Sequence, residues 1–231
     1  MRESYRKQLE SLHTELIRMG AFCEDAIAGA VGGFLDEDAA LREKAIKLEK
    51  EIDLKEREIE SICVRLLLRE QPVAGDLRQI TAAQRMAGDM ERIGDQAADI
   101  AELANFFYRN RSSGGGVFPE TLRTGEILKS DIHIGDMAKA TAAMLSASID
   151  SFVAGDLQKA RDVIKSDDLV DELFRKIKQE LIEIISGNSR SGGACLDLLM
   201  ISKYLERIGD HAVNIAEWVV YSIAGERRQP V

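Results

Sequence analysis

The chain has 231 residues, of which 45% are hydrophobic and 5% aromatic, and it carries a formal net charge of −9 at pH 7. This length suffices to bury a substantial core, and a composition with only three prolines favours helices over sheet. The acidic balance argues against nucleic acid or an anionic membrane as the main partner, and it suits cations or basic protein surfaces.

The first predicted helix shows apolar or small residues three and four positions apart over residues 9–30. This spacing is typical of a helix that packs in a bundle. Gly32 and Gly33 are expected to end or loosen this helix. Either Asp36 or Asp38 then provides a side chain that can cap the start of a second helix.

Two more helices complete the first half of the chain. The second has its apolar stripe over residues 45–66 and is interrupted by Pro72, and the third has its stripe over residues 80–104. A Ser/Gly-rich run at residues 112–116, followed by Pro119, has the composition of a flexible linker. We therefore predict a first three-helix bundle over residues 1–111 and a linker over residues 112–119.

The second half repeats this organisation. Apolar stripes follow over residues 134–152, 163–184 and 198–219, which predicts three further helices. Residues 120–231 are therefore predicted to form a second three-helix bundle. The predicted fold class is all-α, a tandem repeat of two antiparallel three-helix bundles.

A repeated motif ties the two halves together. The sequence MERIGDQAADIAE at residues 90–102 returns as LERIGDHAVNIAE at residues 205–217, with nine of 13 positions identical and a constant offset of 115 residues. Upstream, Phe34 and Asp38 recur as Phe152 and Asp156 at an offset of 118 residues. Such self-similarity indicates two copies of one structural unit.

The repeated motif places polar side chains at successive i, i+4 positions on one helix face. In the first copy these are Glu91, Asp95 and Asp99, and in the second copy Glu206, Asp210 and Asn214. A second acidic row lies at the edge of the preceding helix in each half. It consists of Glu49 and Asp53 in the first half and of Asp167 and Asp171 in the second.

If the second and third helices of each half are neighbours, the two acidic rows face one another across a groove. Clustered carboxylates either take up protons or are neutralised by a multivalent cation. Oxygen ligands favour a hard ion such as iron(III), magnesium, manganese or calcium, and zinc is also bound by carboxylates. The alternative is that these acids form ordinary solvated helix faces, as a structural helical module would have.

The cysteines and the apolar segments indicate where in the cell the protein is located. Cys23, Cys63 and Cys195 form no Cys-x-x-Cys pair, which argues against a disulfide or zinc-thiolate framework and fits a reducing cytoplasm. The beginning of the sequence lacks the apolar segment of a signal peptide, and no run approaches the roughly 18 apolar residues of a membrane span. We expect a cytoplasmic protein that does not insert into a membrane.

The doubled ERIGD motif, together with QPVAGDLRQI at residues 71–80, resembles the PhoU family of phosphate transport system regulators. The resemblance covers nearly the whole chain. It implies a tandem of two three-helix bundles that is frequently a homodimer and that carries a multinuclear iron or zinc cluster on its acidic motifs in some members. It also implies that the residues of both acidic rows, with Asp99 and with Asn214 in the equivalent position, are metal ligands.

The resemblance further implies a function without catalysis. The family acts with the high-affinity phosphate importer and its sensor histidine kinase, and it represses phosphate-starvation genes when phosphate is plentiful. We therefore predict an adaptor between the importer ATPase subunit and the kinase, and not an enzyme. The alternatives are a carboxylate-bridged metalloenzyme, such as a two-metal hydrolase, and an accessory protein of another phosphate carrier.

Overall fold

A computed structural model describes residues 2–112 and 132–226 of the chain, which contain six long α-helices and no strand. The helices are α1 Arg2–Leu35, α2 Ala39–Glu70, α3 Gly75–Ser112, α4 Ile134–Ala154, α5 Leu157–Gly187 and α6 Gly192–Ala224. A single 3₁₀ turn, Ser189–Ser191, precedes α6. The predicted all-α fold with two three-helix bundles is confirmed.

The two bundles share one continuous core. Helix α1 packs on α2 and α3 in the first half, and α4 packs on α5 and α6 in the second. The halves meet through two pairs of helices, α3 with α6 and α1 with α4. Ser112 ends α3, and the rest of the predicted linker, residues 113–119, lies outside the described residues. The limits of the two predicted domains stay a prediction.

Gly32 and Gly33 do not themselves end the first helix, because α1 continues for two further residues to Leu35; that they loosen it stays a prediction. Gly33 has a packing role instead. A Cβ atom there would lie 2.6 Å from Cγ of Arg42 and 2.8 Å from its backbone nitrogen. The missing side chain lets the buried Arg42 of α2 reach the end of α1, where it donates a hydrogen bond to the Gly33 carbonyl.

The start and the end of α2 follow from local sequence. Asp38 is the N-cap, and its carboxylate accepts hydrogen bonds from the backbone nitrogens of Ala40 (2.8 Å) and Leu41 (3.3 Å). The helix ends at Glu70, Gln71 adopts a left-handed conformation (φ 46°), and Pro72 follows. A residue preceding proline avoids the helical conformation, so the predicted interruption is confirmed.

Close helix contacts lie beside both acidic rows. A Cβ atom on Gly94 of α3 would lie 2.9 Å from Cδ1 of Ile52 on α2, and one on Gly209 of α6 would lie 3.3 Å from Cγ1 of Val170 on α5. Both apolar partners are fully buried. The glycines therefore let α3 approach α2, and α6 approach α5, at the point where the acids of each pair face each other.

The three cysteines are buried free thiols. Burial raises the pKa of Cys63 to about 12 and raises that of Cys195. A thiol with a raised pKa stays protonated at neutral pH, and only a thiolate is a good metal ligand. The structure thus gives these residues a packing role, in agreement with the scattered spacing of the cysteines.

Candidate metal centre

The first acidic cluster joins α2 to α3. Glu49 and Asp53 of α2 and Asp95 of α3 each present a carboxylate oxygen, and these three atoms lie within 4.8 Å of one another. All three side chains are half-buried. The prediction that the two acidic rows face each other therefore holds for these residues, which come from positions 46 residues apart at the extremes.

Glu91 extends the same cluster by one helical turn and is held by an arginine. Nε of Arg92 lies 3.2 Å from Glu91, and Nη1 of Arg92 lies 3.2 Å from Asp95. The Arg92 side chain is itself 60% exposed. Its two ion pairs therefore lie at the solvent edge of the cluster, where each contributes little stability.

The two glutamates of the first cluster hold their protons more tightly than usual. Burial raises the pKa of Glu49, and the charges of Asp53 and Asp95 raise it further. Burial likewise raises the pKa of Glu91, again with a contribution from Asp95. Each ionised carboxylate thus disfavours the ionisation of its neighbours, and a bound cation relieves this repulsion.

The second acidic cluster joins α5 to α6. Burial, followed by the charges of Asp210, Asp171 and Glu206, raises the pKa of Asp167 to about 6. Burial also raises the pKa of Asp210, with Glu206 adding to this effect and Lys203 opposing it. The charges of Asp171, Glu206 and Asp210 therefore act on Asp167 in this half.

Asp99 and Asn214, the last positions of each repeated motif, lie at the junction of the two halves. The Asn214 amide donates a 3.2 Å hydrogen bond to Asp89 on α3. The pKa of Asp99 is raised by burial, then by Glu102 and Asp95, and it is lowered by Arg207 of α6. Both side chains thus interact across the α3–α6 contact, and their role as metal ligands stays a prediction.

The structure adds residues that the sequence reasoning did not single out. Glu56 lies close enough to Asp53 for the two charges to interact, and burial followed by Glu60 and Asp53 raises its pKa. Lys203 forms an ion pair with Glu206. Glu56 follows Asp53 by three positions, and Lys203 precedes Glu206 by three. Since residues three apart share a helix face, this spacing was the available signal.

A cavity of about 660 Å³ opens beside the first cluster, between α2, α3 and α6. Acidic side chains dominate its lining, with two arginines and the indole of Trp218. The guanidinium of Arg85 lies 5.9 Å from the Trp218 ring centroid. The charged lining residues are Glu56, Glu60, Arg85, Asp89, Glu91, Arg92 and Glu217. The cavity meets the first cluster at Glu91.

These side chains suit a hard cation. The atoms that Glu49, Asp53 and Asp95 bring together are carboxylate oxygens, which are the preferred ligands of magnesium, calcium and manganese and are also bound by iron and zinc. The raised carboxyl pKa values fit the same interpretation, because a cation replaces the protons that such a cluster otherwise retains.

Known proteins show the same architecture. The family model of the PhoU domain, compared with the sequence, matches residues 16–104 and 134–219. The phosphate-specific transport system accessory protein PhoU homolog of Clostridium acetobutylicum is 35% identical over 227 residues, which cover 98% of this chain and 97% of that protein. The homolog of Pseudomonas aeruginosa is 30% identical over 96% of this chain and 86% of its own.

Solved structures agree with the sequence matches. The crystal structure of PhoU from Pseudomonas aeruginosa superposes with a TM-score of 0.82 at 29% identity and covers 96% of this chain and 100% of that one. The phosphate transport system regulatory protein PhoU from Streptococcus pneumoniae, at 23% identity, shares the fold with a TM-score of 0.81 over 98% of this chain and 100% of its own.

The fold and the doubled domain define a two-bundle accessory protein of the phosphate-specific transport system. The chain belongs to the PhoU family. This is a family of accessory and regulatory proteins and not of enzymes, so the hydrolase alternative is not supported. Among the described residues, no helix is both long and apolar enough to cross a membrane.

Proposed function

We propose that this chain is a cytoplasmic, metal-binding regulator of phosphate uptake and phosphate-starvation signalling. It acts as an adaptor between the ATPase subunit of the high-affinity phosphate importer and a phosphate-sensing histidine kinase, and it represses the starvation response. The observation that carries this proposal is the PhoU domain matched in both halves of the chain. The high coverage of relatives named as accessory proteins of phosphate transport supports it.

The metal part of the proposal rests on the two acidic clusters. Glu49, Asp53, Glu91 and Asp95 would hold ions in the first half, and Asp167, Asp171, Glu206 and Asp210 in the second, with Asp99 and Asn214 as the outermost ligands. Iron or zinc is the proposed metal, and magnesium, manganese or calcium are the alternatives. Bound ions supply positive charge that offsets the carboxylates and thereby ties neighbouring helices together.

The mechanism starts from the two helices that the first cluster joins. Glu49 and Asp53 lie on α2 and Asp95 lies on α3, so any change in their mutual repulsion acts on the packing of α2 against α3. An adaptor transmits a signal by binding one state of a partner better than another. We propose that the outer faces of the bundles bind the partners, that the acidic clusters hold those faces in place, and that the chain functions as a homodimer.

A binding experiment tests the adaptor function. The chain is immobilised and exposed to the importer ATPase subunit and to the cytoplasmic part of the kinase, each with and without phosphate. We expect both partners to be retained, with an affinity that depends on phosphate. Retention of neither partner under any of these conditions would contradict the proposal.

Elemental analysis tests the metal part separately. Protein purified without added metal is expected to contain iron or zinc in excess of a double variant, Asp53→Asn with Asp95→Asn. A matched control is Asp25→Asn with Asp150→Asn, since these two acids are exposed and pair with lysines at the surface. Equal metal contents in all three proteins would contradict metal binding by the first cluster and would leave the adaptor function open.

A further inference from the structure

The two acidic clusters differ at one pair of neighbouring positions. In the first half these positions hold Glu56 on α2 and Gly88 on α3. The offsets of 118 and 115 residues that relate the repeats place Phe174 and Lys203 at the same positions in the second half. A carboxylate and an empty position are thus replaced by an aromatic ring and an ammonium group.

The structure confirms that the two pairs are equivalent neighbours. Oε1 of Glu56 lies 3.6 Å from the point where a Cβ atom of Gly88 would be. In the second half, Nζ of Lys203 lies 5.6 Å from the centroid of the Phe174 ring. Both pairs bridge the second and third helices of their half, one helical turn before the acids of the repeated motif.

Lys203 is held between two groups that favour a positive charge there. Its ammonium pairs with Glu206 on the same helix. The face of the Phe174 ring attracts a cation as well. The charge of Lys203 also opposes the rise in the pKa of Asp210, so it affects more than one acid of the second cluster.

The cation that pairs with the repeated-motif acids of the first cluster is placed differently. Arg92 pairs with Glu91 and Asp95 from the solvent edge, and the Gly88 position beside the carboxylates is left open to the cavity. The repeat partner of Arg92 is Arg207, which acts on Asp99 across the junction of the halves. Lys203 therefore provides a positive charge beside the second cluster, whereas Arg92 provides one at the solvent edge of the first.

We propose that Lys203, positioned by Phe174, is a built-in counterion of the second acidic cluster and makes that cluster a weaker site for divalent metal than the first. This inference rests on the metal-binding part of the proposed function. Glu206 must exchange its ammonium partner for the metal, and a unit positive charge nearby repels the incoming ion. In the first cluster Glu56 adds a negative charge at the corresponding place, and Arg92, the cation that pairs with Glu91 and Asp95 there, is the more exposed of the two cations.

Zinc binding to the full chain tests the proposal. A background of Asp53→Asn with Asp95→Asn removes two carboxylates of the first cluster and leaves the second cluster intact. In this background Lys203→Met is compared with Lys203→Arg, which keeps the charge, and with Lys165→Met, which removes an exposed lysine of α5 that pairs with Asp162. Equilibrium dialysis against buffered Zn²⁺ with elemental analysis gives the dissociation constant, and circular dichroism verifies that each variant is folded.

We expect Lys203→Met to bind zinc about tenfold more tightly, a conservative figure for a unit charge at a partly exposed site. Lys203→Arg and Lys165→Met should bind as the background does. An unchanged dissociation constant in Lys203→Met would overturn the counterion role while zinc binding itself stands. Zinc binding by neither cluster, in a chain without substitutions, would instead overturn the metal part of the proposed function.

A reciprocal variant tests the same idea in the first cluster. Gly88→Lys introduces the ammonium where Glu56 is the nearest side chain and where a Cβ atom meets only an ordinary contact of 3.6 Å. In a background of Asp167→Asn with Asp210→Asn, we expect zinc binding to weaken about tenfold relative to Gly88→Ala. Equal affinities of Gly88→Lys and Gly88→Ala would contradict the proposal.

Discussion

The two sides of the α3–α6 junction are built from equivalent positions that carry different side chains. Asp89 and Asp99 of α3 correspond to Tyr204 and Asn214 of α6 at the repeat offset of 115 residues. Asp89 accepts a 3.2 Å hydrogen bond from Asn214. On the other side the pKa of Tyr204 is raised by burial and then by the nearby charge of Asp99, so the corresponding pair is a phenol and a carboxylate.

This comparison shows how a repeated unit can be kept and modified at once. The positions that face across the junction are the same in each half, which fits a junction related by approximate twofold symmetry. The side chains at those positions differ in chemistry. The same is true of Glu56 and Gly88 in the first half, which correspond to Phe174 and Lys203 in the second. Equivalent backbone positions therefore do not imply equivalent charge.

The largest expected effect concerns the apolar contacts under the two clusters. Ile52 and Val170 are equivalent, fully buried, and lie against Gly94 and Gly209 respectively. Ile52→Ala should lower the free energy of unfolding by about 3 kcal/mol, and Val170→Ala by about 1 kcal/mol less because fewer methyl groups are removed. Urea unfolding of metal-free protein measures both. A larger loss for Val170→Ala would show that the second half has the tighter core.

A smaller effect is expected at the junction itself. Asp89→Ala removes the acceptor of the Asn214 amide and a carboxylate oxygen 2.9 Å from Nδ1 of His211, and it should cost about 1 kcal/mol. Asp99→Ala should cost less, since burial raises the pKa of Asp99 and the ionised carboxylate is therefore disfavoured there. The same unfolding measurement on metal-free protein compares the two. Equal losses of unfolding free energy in Asp89→Ala and Asp99→Ala would contradict the difference between the two sides of the junction.

The last effect is a pH dependence to which Asp167 of the second cluster contributes. Burial and neighbouring carboxylates raise the pKa of Asp167 from 3.8 to about 6, so the folded chain holds this proton more tightly than the unfolded chain. The stabilising contribution is complete below the unfolded value and is lost as the pH rises through about 6. The melting temperature of metal-free protein should therefore fall between about pH 4 and pH 7, as this contribution is lost.

Two variants separate Asp167 from the other acids in that experiment. Asp167→Asn should flatten this part of the pH profile, because the amide does not titrate. Asp162→Asn, at an exposed acid on the same helix, should leave the profile as it is. A profile that is unchanged in Asp167→Asn would show that this carboxyl does not carry the dependence.

Much of this architecture follows from the sequence, for identifiable reasons. The apolar spacing along each helix predicts the bundles, and acids at the edge of that stripe must face the neighbouring helix, which is why Glu49, Asp53 and Asp95 were grouped correctly. The facing of the two halves was not predicted. Spacing along one helix shows which side chains share a face, but it does not show that α3 and α6 lie opposite each other and place Asn214 beside Asp89.

The Gly33 contact shows a second limit of the same kind. Glycine lowers helix stability by roughly 1 kcal/mol, so two in succession indicate a helix end. In this chain α1 continues to Leu35, and the missing side chain of Gly33 makes room for Arg42. Local preference was outweighed by a contact with a residue nine positions later, and a sequence read one helix at a time does not show such a contact.

Trp218 gives the junction an optical consequence. It is the single tryptophan of the chain, it lines the cavity between α2, α3 and α6, and its indole is close to the guanidinium of Arg85 from the other half. Its emission spectrum under selective excitation therefore reports on this one place. A shift in wavelength or intensity would indicate altered contact or solvation there, so relative movement of the halves can be followed in solution without an attached dye.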